Sequence, residues 1–522
     1  MKKFVLLFLS LIMVLQTACS SRTPDFLERD EIKISEEIDV QQDYPQERPQ
    51  ISETPKEPEK NIEEKSEEKV EVKEEIPVET PKTEEKIPEK TPEVQVPTQT
   101  PSEPQQNLTV ETKPVVQENV TEVKEEIQTE TQVKPEIKEE ITQETSKVEE
   151  NIQQNLSFDE TRAIWFSYFE IDSMLKGKSE AQFTANISAA FNNVVNLGFN
   201  TIIFQVRPYA DAIYPSEYFS WSYLASGTEG IAIDFDPLKI AVREAHNRGL
   251  ELEAWINPYR IRNANYKQAI CNDNIVHNYL KSGDTVEFNG GIYFDPASQK
   301  AQELIVNGVR EIVQNYNVDA IHFDDYFYPT TDESFDKKSY KQYCDNGGKL
   351  SLENWRRENV NKLVRAVYSA IKSIDNSVEF GISPQGNLDN NYNFQFIDVA
   401  LWLKNEGYVD YICPQIYFGF DNSTCPYAET VKQWNDLVKI SSVDLKIGLA
   451  PFKIGTEDTW AGDGKNEWKN NNDLLAKMVE TARKQKTYGG FVMFRYDSIF
   501  NPSSAVKNQV NKEISNLKDV LN

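Results

Sequence analysis

Histidine and cysteine are scarce in this 522-residue chain, which has three of the first and five of the second. His246, His277 and His322 lie far apart, and Cys271, Cys344, Cys413 and Cys425 follow no zinc-ligand spacing. A structural metal centre is therefore not expected, while disulfides among those four cysteines stay open. A Gly-rich phosphate loop after an early strand is missing, which argues against an open doubly wound nucleotide-binding sheet and leaves no cofactor to expect. The net charge is −28 and no basic stripe occurs, so nucleic acid is not an expected partner. The apolar run near the start, Phe4 to Leu15, is too short to cross a bilayer as a resident helix.

What that run does have is the layout of a secretion signal. Lys2 and Lys3 precede it, and Gln16-Thr17-Ala18-Cys19-Ser20 follows it. Small residues before a cysteine resemble the end of a bacterial lipobox, with Gln16 where that motif favours Leu. Cys19 is thus the expected lipidation site of a segment 1–19. The protein is expected to be exported and lipid-anchored to the outer face of a bacterial membrane, in the cell envelope. Residues 21–150 hold 37 acidic and 17 basic side chains, so most of the net charge belongs to them. Phe26 and Tyr44 are their only aromatic residues. A stretch this poor in apolar side chains cannot offset its chain entropy by burial, and its prolines and like charges keep it extended. A long disordered tether is expected over 20–157, with a folded domain over 158–522.

From Thr161 onward aromatic residues become frequent, and apolar runs alternate with amphipathic stretches. Eight strands are predicted: Arg162–Phe169, Thr201–Arg207, Leu250–Asn257, Ala320–Asp325, Val378–Gln385, Tyr408–Tyr417, Lys446–Phe452 and Gly490–Asp497. Helical spacings such as Leu304, Ile305, Val309, Ile312 and Val313 separate several of them, and Gly198 and Gly249 punctuate others. Eight β-then-α units over this length predict an α/β fold, a (β/α)8 TIM barrel; the doubly wound sheet is the second choice.

Function in such a barrel sits at the C-terminal ends of the strands. There the predicted strands alternate polar and apolar positions: Gln205 with Arg207, Glu253 with Trp255 and Asn257, His322 with Asp324. Repeated polar groups where a barrel core is ordinarily apolar point to a ligand cleft rather than to packing. Aromatic residues crowd the following loops, among them Tyr209, Tyr214, Tyr259, Tyr326, Tyr328, Phe418 and Trp460. Rings interleaved with amide and charged side chains suit the C–H faces and hydroxyl edges of sugars.

The strings Phe199-Asn-Thr-Ile-Ile-Phe-Gln-Val-Arg-Pro208, Ala254-Trp-Ile-Asn-Pro-Tyr-Arg260, Ile292-Tyr-Phe-Asp-Pro296, Ile321-His-Phe-Asp-Asp-Tyr-Phe-Tyr-Pro329, Gly381-Ile-Ser-Pro384 and Tyr411-Ile-Cys-Pro-Gln-Ile-Tyr417 resemble the glycosyl hydrolase-like 10 family of bacterial envelope barrels. The resemblance spans about Thr161 to Asn501. It implies a TIM barrel, a cell-envelope location and glycosidase activity, on peptidoglycan glycan strands stripped of peptides. A non-catalytic glycan-binding barrel and a scaffold lipoprotein are the competing readings.

A glycosidase usually needs two carboxyl groups. Asp324 and Asp325 are the expected catalytic pair. Neighbours on a strand point to opposite faces, so Asp324, sharing a face with His322, is expected to reach the bond while Asp325 orients a loop or Arg207. Glu170, Asp211 and Asp497 are the further carboxyl candidates. The expected glycan contacts are Arg207, Tyr209, Asn257, Tyr259, His322, Tyr328, Gln385, Asn387, Gln415, Tyr417 and Asp497. The strand-4 string also resembles, distantly, the acidic motif of chitinase-like barrels, with Tyr326 where that motif ends in Glu.

Overall fold

A computed structural model describes residues 160–266 and 269–521. The expected signal segment 1–19, its Cys19, the expected tether over 20–157 and its boundary with the folded domain lie outside the described residues. Within them the chain closes an eight-stranded parallel barrel: β1 Thr161–Phe166, β2 Thr201–Arg207, β3 Glu251–Ile256, β4 Ala320–Phe323, β5 Glu379–Ile382, β6 Tyr411–Ile412, β7 Asp444–Leu449 and β8 Tyr488–Met493. Neighbours in sequence are neighbours in space, and β8 pairs with β1. This is the expected (β/α)8 fold. Helices of the outer ring are α1 Glu180–Asn196, α2 Pro237–His246, α3 Gln299–Asn315, α4 Leu352–Ile374, α5 Val399–Trp402, α6 Tyr427–Leu437, α7 Leu474–Ala482 and α8 Lys507–Leu521. Between β3 and α3 the chain adds an antiparallel sheet of Arg260–Arg262, Thr285–Phe288 and Gly291–Phe294.

Local sequence accounts for these elements. β2 reads Thr-Ile-Ile-Phe-Gln-Val-Arg and is buried along its whole length, as a strand covered on both sides should be. Ser179 starts α1 in a reciprocal capping box with Gln182, and Asp236 caps α2 with Pro237 in its first turn. Several observed strands are shorter than predicted. Pro414 follows Cys413 and has no N–H for the ladder, so β6 keeps only Tyr411 and Ile412. Ser167 opens a helix, Tyr168–Leu175, through a second capping box with Glu170, which ends β1 at Phe166.

The apolar core lies between the strands and the helix ring, where Ile164, Phe166, Ile202, Phe204, Ile321, Phe323, Ile447 and Leu449 meet residues such as Phe191 and Val309. The inside of the barrel is different. A small cluster of Trp165, Ile203, Trp255, Tyr411 and Cys413 surrounds a polar column. In it Lys446 pairs with Glu253 at 3.5 Å and Glu253 accepts a hydrogen bond from the Tyr411 hydroxyl. The Tyr411 oxygen lies 2.7 Å from His322 Nδ1, and His322 Nε2 lies 2.9 Å from Ser383 Oγ. Gly381 makes room for this column: a Cβ there would sit 1.8 Å from Cζ of Tyr411.

Candidate functional site

The column ends under a cleft of about 820 Å³ at the C-terminal end of the barrel. Its floor and walls come from every quarter of the ring. Trp165 lies near the end of β1, and Ser167, Tyr168 and Phe169 follow it; Gln205 and Trp255 lie near the ends of β2 and β3; Asp324, Asp325 and Tyr326 follow β4. Ser383, Gln385 and Asn387 follow β5, Gln415, Tyr417 and Phe418 follow β6, and Phe452, Lys453, Asp458 and Trp460 follow β7. Phe494 and Arg495 close it after β8. Trp460 stands 68% exposed at the rim.

Asp324 and Asp325 both line this cleft, although the strand alternation predicts opposite faces. β4 stops at Phe323, so the pair leaves the pleat and the period of two no longer governs it. Asp324 is buried; Trp255 Nε1 donates to its Oδ2 at 3.0 Å and the Tyr326 amide to its Oδ1 at 3.1 Å. Burial, then the negative charge of Asp325, push its pKa up to about 8, against the opposing pull of Arg260 and of those two donors. Asp325 is held by Gln395, whose Nε2 donates to its backbone carbonyl at 2.8 Å and approaches its Oδ2 at 3.5 Å. It does not orient Arg207.

Among the expected glycan contacts, Gln385, Asn387, Gln415 and Tyr417 are in the cleft wall. Gln415 Nε2 donates to the Ser383 carbonyl at 3.0 Å, and Gln385 Oε1 accepts from Asn390 at 3.1 Å. The others are elsewhere. The pairing of β2 with β3 slips between Gln205 and Arg207, so the two do not share a face. Gln205 looks into the cleft, whereas Arg207 turns outward under α3, 3.5 Å from the Phe219 ring, in space left by Gly308. Asn257 lies beneath the wall and accepts from Gln205 Nε2 at 2.8 Å, while Gln205 Oε1 accepts from the Tyr168 amide. Tyr209 backs Arg260, and Tyr259 packs on Phe327 away from the cleft. Tyr328 is buried between Phe335 and Phe396. His322 is enclosed in the polar column below, where burial and Lys446 push its pKa down to about 3 and keep it neutral.

Nor do the further carboxyl candidates reach the cleft. Glu170 is fully buried, capping its helix and pairing with Arg495 at 2.5 Å. Asp497 accepts from Asn501 at 2.6 Å and lies 3.6 Å from Arg495. Asp211 is sealed near Arg262 and Glu229, and burial pushes its pKa up to about 6. The carboxyls that do line the cleft are Asp324, Asp325 and Asp458, the last held by Lys453 Nζ at 2.7 Å.

Residues 160–463 match the family model described as glycosyl hydrolase-like 10, which is more than half of the chain. The chain belongs to this family. Among its relatives are glycosyl hydrolase YngK of Bacillus subtilis (strain 168), 36% identical over 56% of this chain and 61% of that protein, and glycosyl hydrolase DigH of Escherichia coli (strain K12), 32% identical over 60% of this chain and 75% of that protein. The chain therefore spans about three fifths of the Bacillus relative's length. A solved structure it is similar to is the β-amylase catalytic domain of Paenibacillus polymyxa, at 11% identity and a TM-score of 0.46, over 70% of this chain and 100% of that one.

In this glycosyl hydrolase-like 10 barrel the cleft also holds residues outside the expected catalytic and glycan-contact sets, among them Arg260, Gln205, Lys453, Asp458, Trp460 and Arg495, although strand alternation marks Gln205 and the aromatic loops mark Trp460. Arg260 closes the string that begins at Ala254, and Gln205 and Arg495 stand at predicted strand ends, so each had a positional signal. Lys453 and Asp458 come from the irregular chain after β7, where no period marks them.

Proposed function

We propose that this barrel hydrolyses glycosidic bonds in an amino-sugar glycan, and that its substrate is the peptidoglycan glycan strand stripped of peptides. The observation that carries the reading is Asp324, a buried carboxyl on the floor of an open cleft that keeps its proton to about pH 8. Such a group can give a proton to the leaving oxygen at neutral pH, while Asp325 beside it supplies the negative charge that an oxocarbenium-like transition state needs. Rings of Tyr326, Tyr417, Phe418 and Trp460 along the walls offer faces for sugar stacking. The choice of peptidoglycan rests on the family resemblance.

The test is product release from purified, peptide-free peptidoglycan glycan, with linkage and anomer assigned. Cleavage of neutral chitooligosaccharides without cleavage of that glycan would reassign the substrate. Tight glycan binding without cleavage of any glycan would favour the non-catalytic barrel.

The same reading includes an acylated Cys19 that ties the chain to a membrane, with the acidic residues after it as a spacer. Cys19→Ser is expected to release the protein from membranes or leave its signal uncleaved. Unchanged membrane attachment with the signal removed would overturn the anchor.

A further inference from the structure

Arg260 is 5% exposed and lines the cleft. Its guanidinium carbon sits 4.0 Å from the Tyr326 ring centroid and 4.9 Å from that of Tyr209, which fixes the plane of the group. Nε donates to the Pro208 carbonyl at 3.3 Å. Among the described residues no acceptor reaches Nη1 or Nη2, and no carboxylate lies within ion-pair distance of Arg260.

Four other largely buried cations around the barrel are paired with carboxylates, whereas Arg207, sealed under α3 and away from the cleft, is not. Arg495 pairs with Glu170 at 2.5 Å, Lys453 with Asp458 at 2.7 Å, and Arg262 with Glu229. Arg356 engages Asp336 through two nitrogens, at 2.9 and 2.5 Å, and also takes two backbone carbonyls. A buried guanidinium without an anion is costly, because two ring faces do not replace the hydrogen bonds its N–H groups made to water. Burial opposes the Arg260 cation, while Tyr326, Tyr209, Tyr168 and then Asp324 favour it and raise its pKa overall, yet none of the four gives Nη1 or Nη2 a hydrogen bond.

A planar, pre-oriented fork with free N–H groups is the geometry that takes a carboxylate with two parallel hydrogen bonds. We propose that Arg260 is a specificity-determining residue that binds a carboxylate carried on the sugar ring of the glycan, so that the barrel prefers a glycan whose acid is free over one whose acid is amidated. This rests on the glycan reading above and adds the chemical feature that the site selects. Because Arg260 stands beside Asp324, an ether-linked acid on the residue next to the scissile bond would be read at the point of cleavage.

The experiment uses the full chain in an Asp324→Asn background, with and without Arg260→Gln or Arg260→Lys. Affinity is measured by calorimetry for a tetrasaccharide of alternating N-acetylglucosamine and N-acetylmuramic acid, for the same tetrasaccharide with its carboxyls converted to methyl amides, and for chitotetraose. The free acid is expected to bind on the order of 10- to 100-fold more tightly than its amide. Arg260→Gln should erase that ratio while leaving affinity for the amide and for chitotetraose unchanged, and Arg260→Lys should restore part of it. Equal binding of acid and amide without the Arg260 change, no binding of the acid, or equal weakening of all three ligands by Arg260→Gln would overturn the proposal. Hydrolysis assays on the unmutated chain separate the two readings. Cleavage of glycans without a preference for the acid leaves the glycosidase standing and removes the role of Arg260. An acid-to-amide ratio that depends on Arg260, with no cleavage of any glycan, does the reverse.

Discussion

Trp255 Nε1 and Asp324 Oδ2 are 3.0 Å apart, across the boundary between the end of β3 and the chain just beyond β4. The indole donates to the carboxyl that burial keeps protonated, and so works against burial by favouring the charged form. A Trp on one strand thereby tunes an acid beyond the next.

Removing that donor should be visible in the pH profile. Asp324 must be protonated to act as the acid, so kcat/KM is expected to fall as pH rises through about 8. Trp255→Phe deletes one partner of the anion, which raises the pKa and moves the alkaline limb upward. A limb that moves downward, or one that ignores the substitution, would exclude Asp324 as the titrating acid. The same shift has a stability signature. With its native pKa above the usual 3.8, Asp324 contributes stability that is complete below about pH 4 and lost as pH rises through about 8. Thermal melts between pH 5 and 9 should show this decline, and Asp324→Asn should flatten it.

Asp324→Asn should lower turnover by about 10²–10⁴-fold while glycan binding is largely retained. Asp325→Asn should also reduce turnover, since Asp325 lines the same cleft. Kinetics, glycan affinity and a melt for each variant distinguish the roles: a folded Asp325→Asn that is dead beside an active Asp324→Asn would reverse the assignment.

Lys446 and Glu253 are both buried inside the barrel, 3.5 Å apart. Lys446→Met strands the Glu253 carboxylate next to the Tyr411 hydroxyl and should cost about 3–5 kcal/mol in denaturant unfolding. Pairing it with Glu253→Gln should recover part of the loss. A near-neutral single variant would mean that Glu253 is protonated in the native state.

Gly381→Ala tests the room made for Tyr411. The new methyl would overlap that ring, and the shift it forces should cost about 1–3 kcal/mol, or more if the hydroxyl loses both Glu253 and His322. Chemical denaturation measures it, and an unchanged midpoint would show that the column can move at no cost.

By itself the sequence was enough for the barrel and for the position of its acidic pair. Parallel strands covered on both sides must be apolar over several residues, and the helices between them must carry an apolar stripe; both patterns are local and survive in one dimension. Asp324 and Asp325 were legible because they terminate such a strand. Which side chains meet in the cleft was decided by the tertiary structure. Alternation carries facing information only inside a regular ladder, and it failed at the slip between Gln205 and Arg207, which turned Arg207 under α3. It failed again beyond Phe323, where the pleat ends and both aspartates turn to one cleft. Asp458 and Trp460 join Asp324 only because the ring closes and brings the chain after β7 to the same opening. His322 and Arg260 show the same limit in opposite directions: burial below the floor took the histidine out of the site, and an unpaired guanidinium between two tyrosine rings brought the arginine into it.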